Sequence, residues 1–175
     1  MLIQSQQVLA LVGRLDDAGI TAWVDGGWGV DALIGRQTRP HDDLDLVIDA
    51  AAVDSFVGGL ITDGFLIIRD WRPTAIALRH PDGREIDLHP VRLTADGGGD
   101  QVQLDGVTMW HYDVPVEGSI DGRPVPCCSV ETQIEAHRGY EPDDDDRHDM
   151  ALLQAAFDVE LPTPYRSTER PRRRR

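Results

Sequence analysis

Two acidic stretches hold the residues of this sequence that could do chemistry. In HDDLDLVID (41–49), strand alternation puts Asp43, Asp45 and Val47 on one face and Leu44, Leu46 and Ile48 on the other. In REIDLHP (84–90), Glu85, Asp87 and His89 share a face opposite Ile86 and Leu88. Carboxylates two residues apart on one strand face suit a hard cation such as Mg²⁺, which takes oxygen ligands and completes its shell with phosphates. Taken alone, either stretch reads as plainly as an exposed acidic strand edge. If the two strands are neighbours, Asp87 joins Asp43 and Asp45 in a three-carboxylate cluster whose mutual repulsion raises at least one pKa. Asp42 and Asp49 fall at the strand ends and are assigned to solvent or capping. His89 reads first as a hydrogen-bonded histidine.

A third feature lies upstream. Gly26 and Gly27 end a short strand just before a helix expected to begin near Trp28. Such a turn lets backbone N–H groups and a helix N-terminus approach a phosphate closely. Neither the GxGxxG nor the Walker pattern occurs, so neither a dinucleotide fold nor a P-loop is supported. The run Asp143 to Asp146 looks like another metal site, but carboxylates there complement the dipole of a starting helix.

The elements that must position these residues follow from periodicity and punctuation. Val8, Leu11, Val12 and Leu15 mark a helix over 5–18, and TAWVD (21–25) marks a buried strand. WGVDALIG is helical and stops at Gly35; a further helix is predicted over 51–62. FLIIR, TAIALRH and REIDLHPV read as strands, with Asp82-Gly83 as the hairpin turn between the last two. Short strands separated by Asp-Gly turns form a meander up to about 125. Ser129 is a plausible N-cap for one C-terminal helix, and a second is predicted over 144–157. The fold class expected is α+β: a mixed β-sheet flanked by helices, with a small C-terminal helical part. The boundaries expected are a main domain over 1–125, a helical part over 126–162 and an Arg-rich, disordered tail over 163–175.

The chain of 175 residues is long enough for one good core, and no apolar run approaches a membrane-spanning length. The N-terminus lacks the pattern of a signal peptide, so the cytoplasm is the expected compartment. Cys127 and Cys128 are adjacent and are expected to pack as reduced thiols. The formal charge of −14 argues against a general nucleic-acid binder. Every basic residue apart from histidine is arginine, and six of the 17 fall within 166–175, which leaves the first 165 residues at −19. A surface of that sign attracts cationic small molecules.

The stretches GGWGVDALIGRQTRPHDDLDL, EIDLHP and PCCSVETQIEAHRGYEPDDDDRHD, in that order, resemble the lincosamide nucleotidyltransferases and, more distantly, the aminoglycoside 2″-adenylyltransferases. Both belong to the DNA polymerase β-like nucleotidyltransferase superfamily. The resemblance runs from Trp23 to about Leu153 and is weak over 93–116. It implies transfer of AMP from ATP to a hydroxyl, with Mg²⁺ as cofactor and pyrophosphate as product. By the same resemblance Gly26, Gly27 and Trp28 fall on the phosphate-side glycine motif, with Arg39 and His41 before the acidic pair. Asp43 and Asp45 fall on the metal ligands, and Asp87 on a third carboxylate, for which the expected roles are base, shared metal ligand or both. His137, Gly139, Tyr140, Asp146 and Asp149 match the C-terminal pattern. The interval from Gly27 to Asp43 exceeds the usual superfamily spacing though it suits this branch, and the Arg-rich tail has no counterpart.

For the acceptor side the candidates are Glu85, His89, Trp71 and Tyr140, with Trp110 a further pocket residue or core residue. The partners implied are an antibiotic and a nucleoside triphosphate, and the family implies a homodimer. The rival acceptors are an aminoglycoside or a macromolecule such as tRNA or a protein. A rival of another class is a non-catalytic nucleotide-binding protein, against which the full set of three carboxylates argues.

Overall fold

The computed structural model describes residues 2–165, so the basic run of the expected tail lies outside the described residues. The elements are α1 (Ser5–Asp17), β1 (Ala22–Asp25), α2 (Gly26–Ile34), β2 (Asp43–Asp49), α3 (Val53–Thr62), β3 (Leu66–Trp71), β4 (Ala75–Arg79) and β5 (Glu85–Leu93). The chain continues through β6 (Gly99–Val102), β7 (Met109–Tyr112), β8 (Val116–Ile120) and β9 (Arg123–Cys127) to α4 (Val130–Ala136) and α5 (Asp144–Phe157). The main sheet runs β3-β4-β5-β2-β1-β9-β8, and the β6–β7 hairpin branches from β5. It is a mixed sheet: β2 with β5 and β1 with β9 are parallel, and the remaining pairs are antiparallel.

The alternation read from β2 and β5 becomes two different sheet faces. On one face Val24, Leu44, Leu46, Ile48, Ile86 and Leu88 form the main core with Val8 and Leu15 of α1 and Phe56 and Leu60 of α3. On the other, Trp23, Val47, Val91, Tyr112 and Cys128 make a smaller cluster, and the carboxylates occupy the remainder of that face. Burial of whole aliphatic side chains, each contributing about 1.5–3 kcal/mol, therefore anchors the strands from behind and leaves the acidic face open for other use.

The C-terminal helices dock on α2. Val30 packs with Val130, Ile134, Met150, Leu153 and Leu161, so the helical part is joined to the sheet through the very helix that follows the glycine pair. Ser129 caps α4, its Oγ accepting from the Thr132 N–H at 3.1 Å. Asp143 caps α5 in a reciprocal box with Asp146, which employs the four-aspartate run as a helix start. The Asp82-Gly83 turn closes the β4–β5 hairpin, with Gly83 at φ +98.

Three boundaries differ from the sequence reading. Helix α2 begins at Gly26, not near Trp28, so the glycines are its first turn. Strand β9 continues to Cys127 and pairs with Val24, so the sheet extends past the boundary placed at 125. Thr163–Tyr165 form a single 3-10 turn, with Tyr165 packed against the C-terminal cluster. Both cysteines are buried and free.

Candidate active site

The pairing register assembles the acidic face. In β1, β2 and β5, Asp25 lies opposite Asp45 and Asp45 opposite Asp87, while Asp43 lies opposite Glu85 one step nearer the strand ends. Paired residues point to the same side of a sheet, so the carboxylates of three strands converge. One ligand atom each from Asp45, Asp87 and His89 lies within 4.8 Å of the others. His89 Nε2 is 3.2 Å from Asp45 Oδ1. Arg69 donates to Asp87 Oδ2, whereas Asp87 Oδ1 is buried with no hydrogen-bond partner.

The electrostatics follow from that crowding. Asp43 sits at the exposed end of β2; partial desolvation among its neighbours, and then the charges of Asp45, Glu85 and Asp87, push its carboxyl up to about 6. Asp87 is raised as well, by burial first and by Asp45, against the pull of His89 and Arg69. For His89, burial opposes the charged ring. The hydrogen bond and charge of Asp45, with Asp25 and Asp87, outweigh it and hold the imidazole up at about 9. His89 is thus a hydrogen-bond partner of Asp45 in the first place. Convergent carboxylates and an unpartnered buried oxygen on Asp87 are the donor set that fits a hard divalent cation. The clustered trio takes His89 where the sequence reading placed Asp43.

The glycine pair is fixed by what surrounds it. Gly26 has φ +58, and a Cβ there would stand 2.1 Å from Asp45 Oδ2. A Cβ on Gly27 would stand 2.5 Å from Arg39 Nη2 and 2.6 Å from His41 Nδ1. The missing side chains let the N-terminus of α2 press against Asp45 on one side and against Arg39 and His41 on the other. Gln133 of α4 donates to the Gly26 carbonyl at 3.3 Å.

Arg39 and His41 are already engaged with the scaffold. Arg39 donates twice to the buried Asp149, at 3.1 and 2.7 Å, and once to Asp145 at 3.1 Å, tying the loop before β2 to α5. The buried His41 ring lies 4.7 Å from the Trp28 ring, and its Nε2 is 2.5 Å from Asp31 Oδ2. Asp31 also accepts from the Thr38 N–H and hydroxyl. The Trp28 side chain is core, so only its backbone faces the turn. The sequence reading assigns Arg39 and His41 to the nucleotide; in the structure both side chains lie against Gly27 and are bonded to Asp149 and Asp31, so they buttress the glycine pair.

Next to Asp87 and His89 opens a cleft of about 440 Å³, walled also by Arg69, Trp71, Gln101, Trp110 and, from the α4 end, Glu135. Trp71 is half exposed and lies beneath the Arg69 guanidinium at 4.9 Å. Trp110 meets Tyr112 edge-on at 6.2 Å. Two acceptor-side candidates are not on this wall. Glu85 is taken by Arg79, its neighbour on β4, at 2.7 and 3.1 Å. Tyr140 belongs to the α4–α5 turn, where its hydroxyl donates to Asp146 at 3.1 Å.

Residues missed in the sequence are Arg69, Gln101 and Asp25. Asp25 is buried at the end of β1, and after burial itself its charge raises both Tyr112 of β7 and Cys128, so it couples the strands that carry the carboxylates to the β6–β7 hairpin. An acid closing a buried strand directly before two glycines was the available signal. A second cavity of about 290 Å³, between α1 and β9, has mostly apolar walls and includes none of Asp43, Asp45 and Asp87.

Comparison with known proteins gives a consistent picture. The aminoglycoside-2″-adenylyltransferase family model matches residues 7–153. A lincosamide resistance protein of Staphylococcus haemolyticus is 30% identical over 87% of this chain and 96% of its own length. A 2″-aminoglycoside nucleotidyltransferase of Klebsiella pneumoniae is 37% identical over 71% of this chain and 67% of its own. Among solved structures, the lincosamide antibiotic adenylyltransferase LnuA, lincomycin-bound, matches with a TM-score of 0.80 at 30% identity, covering 89% of this chain and 99% of that one. ANT(2″)-Ia in complex with adenylyl-2″-tobramycin shares the fold, with a TM-score of 0.68 at 21% identity over 87% of this chain and 88% of that one.

Proposed function

The chain belongs to the aminoglycoside-2″-adenylyltransferase family, and on that premise we propose that it transfers AMP from ATP to a hydroxyl of a lincosamide antibiotic, inactivating the drug. Coverage favours this acceptor. The lincosamide resistance protein is matched over 96% of its length, against 67% for the aminoglycoside enzyme, although the latter is more identical over the shared part. The observation that carries the reading is the register that sets Asp45 opposite Asp87 beside the cleft.

In this mechanism Asp45 and Asp87, with Asp43 one alternation away on β2, would hold Mg²⁺, which would offset charge on the α-phosphate and on the departing pyrophosphate. Backbone N–H groups at Gly26, Gly27 and Trp28 receive phosphate oxygens at the α2 N-terminus, held in place by Arg39 and His41. The acceptor lies in the cleft against Trp71 and His89. Its hydroxyl oxygen bonds to the α-phosphorus as the bond to the bridging α–β oxygen breaks, pyrophosphate leaves, and Asp87 accepts the hydroxyl proton. The acidic body draws in an acceptor with a basic nitrogen and disfavours RNA. No described helix is long and apolar enough to cross a membrane, and the cytoplasm, where ATP is available, is the compartment this chemistry requires.

The test is incubation with Mg²⁺, labelled ATP and, separately, lincomycin, clindamycin, tobramycin and bulk tRNA. The expected result is pyrophosphate release and a mass gain of one AMP on the two lincosamides. Transfer to tobramycin or tRNA instead would reassign the acceptor, and no transfer at all would end the reading. Asp45→Asn is expected to abolish turnover with an unchanged melting temperature; retained turnover would remove Asp45 from the site.

A further inference from the structure

We propose that Arg69 is a positioning residue of the transfer reaction, gripping one oxygen of Asp87 so that the other is held ready. This rests on the reading of Asp87 as the reacting carboxylate. The main support is a row that crosses the sheet. Arg69 lies opposite Ala77, Ala77 opposite Asp87, Asp87 opposite Asp45, and Asp45 opposite Asp25. Residues so paired share a face, so an arginine on the edge strand stands in line with the acidic cluster.

That alignment is built by an irregularity. Ile67 pairs with Leu78 but Arg69 with Ala77, so one extra residue, Ile68, is inserted in β3. Leu78 belongs to the core face. In a regular strand, Arg69 would point the same way as Ile67, away from the carboxylates. The bulge turns Arg69, and Trp71 two residues on, to the cleft side, as bulges beside active sites re-aim side chains. Between Arg69 and Asp87 stands Ala77, a buried methyl over which the guanidinium can pass. A larger residue there would block the reach.

The contact has a direction. Arg69 Nη2 binds Asp87 Oδ2, the guanidinium rests on Trp71, and Asp87 Oδ1 keeps no partner. A carboxylate free to rotate about its last bond presents two equivalent oxygens; one held by a charge-assisted hydrogen bond presents a single oxygen in a defined plane. Arg69 also supplies the positive charge that lets Asp87 stay beside Asp45. An ordinary exposed ion pair would contribute little, but here the Asp87 side chain is only 14% exposed.

The deciding experiment compares Arg69→Ala, Arg69→Lys, Asp87→Asn and wild type in steady-state transfer and in Mn²⁺ binding by the protein alone. For Arg69→Ala, kcat is expected to fall about 10- to 100-fold, with KM for ATP nearly unchanged. Its Mn²⁺ affinity should stay equal or rise several-fold, because a competing positive charge has gone. Arg69→Lys, or guanidinium added to Arg69→Ala at a non-denaturing concentration, should restore part of the rate, and sodium chloride at equal ionic strength should not. Wild-type kcat in Arg69→Ala, with Asp87→Asn inactive, would overturn the proposal alone. Joint loss of kcat, Mn²⁺ affinity and melting temperature would overturn it in favour of a structural role. Wild-type protein inactive on every acceptor would instead overturn the function beneath it.

Discussion

Replacing Gly26 by alanine should separate activity from stability. The new Cβ would lie 2.1 Å from Asp45 Oδ2, 2.9 Å from its Cγ and 3.2 Å from its Cβ. Relief of those contacts requires a displacement of about 1 Å. The nearest atoms are the free end of a side chain, so Asp45 can swing away and the fold survives. What remains as a stability cost is the left-handed backbone at φ +58, about 1–2 kcal/mol for an L-residue. The swing, however, takes the Asp45 carboxylate off its 3.2 Å bond to His89 and out of the cluster it forms with Asp87. A misplacement of about 1 Å at a reacting centre costs on the order of 100-fold in rate. Pyrophosphate release gives kcat, and the urea midpoint gives stability. Gly13→Ala is the matched control: it lies within α1, nothing stands within 4 Å of its Cβ, and it should gain up to about 1 kcal/mol with unchanged kcat. A Gly26→Ala variant retaining more than half of wild-type kcat would refute the reasoning. So would a loss of stability beyond about 4 kcal/mol, because Asp45 would then be unable to yield.

Two further outcomes test the scaffold around the site. Arg39→Met strands the buried Asp149, and urea unfolding should show a loss of about 3–5 kcal/mol, much of it recovered in Arg39→Met/Asp149→Leu. An unchanged midpoint with a raised KM for ATP would return Arg39 to the phosphate. Burial first, and the charge of Asp25 second, push Cys127 up to about 12, and Cys128 is raised also. Free thiols titrate near 8.5, so the native state binds more protons than the unfolded one between about 8.5 and 12, and stability should fall as pH rises through that window. A thiol reagent at pH 8 should find neither cysteine in the native protein and both in denaturant; fast labelling of the native protein would contradict the burial.

The parts of this fold that were legible in the sequence are those with a local cause. Alternation in β2 and β5 gave the faces of Asp43, Asp45, Asp87 and His89 because each strand is core on one side and acid on the other. The start of α5 at the four-aspartate run was readable because carboxylates complement the dipole of a helix N-terminus. Placement across the chain was less readable. Glu85 shares the face of Asp87, yet it lies one alternation, about 7 Å, nearer the strand end, where Arg79 meets it. Arg39 adjoins the acidic pair in sequence, but its partner Asp149 comes from a helix 110 positions away.

Arg69 shows why such a residue escapes. LIIR contains three successive apolar residues, so no alternation assigns its faces, and β3 is an edge strand, with Leu66, Ile67 and Ile68 partly open to solvent. Whether Arg69 faces the carboxylates or the opposite side depends on a single inserted residue, and the insertion exists only relative to the pairing with β4. Register is a property of two strands together. A motif can name the carboxylates of a site from one strand at a time; the cation that orients them becomes visible only when the neighbouring strands are laid side by side.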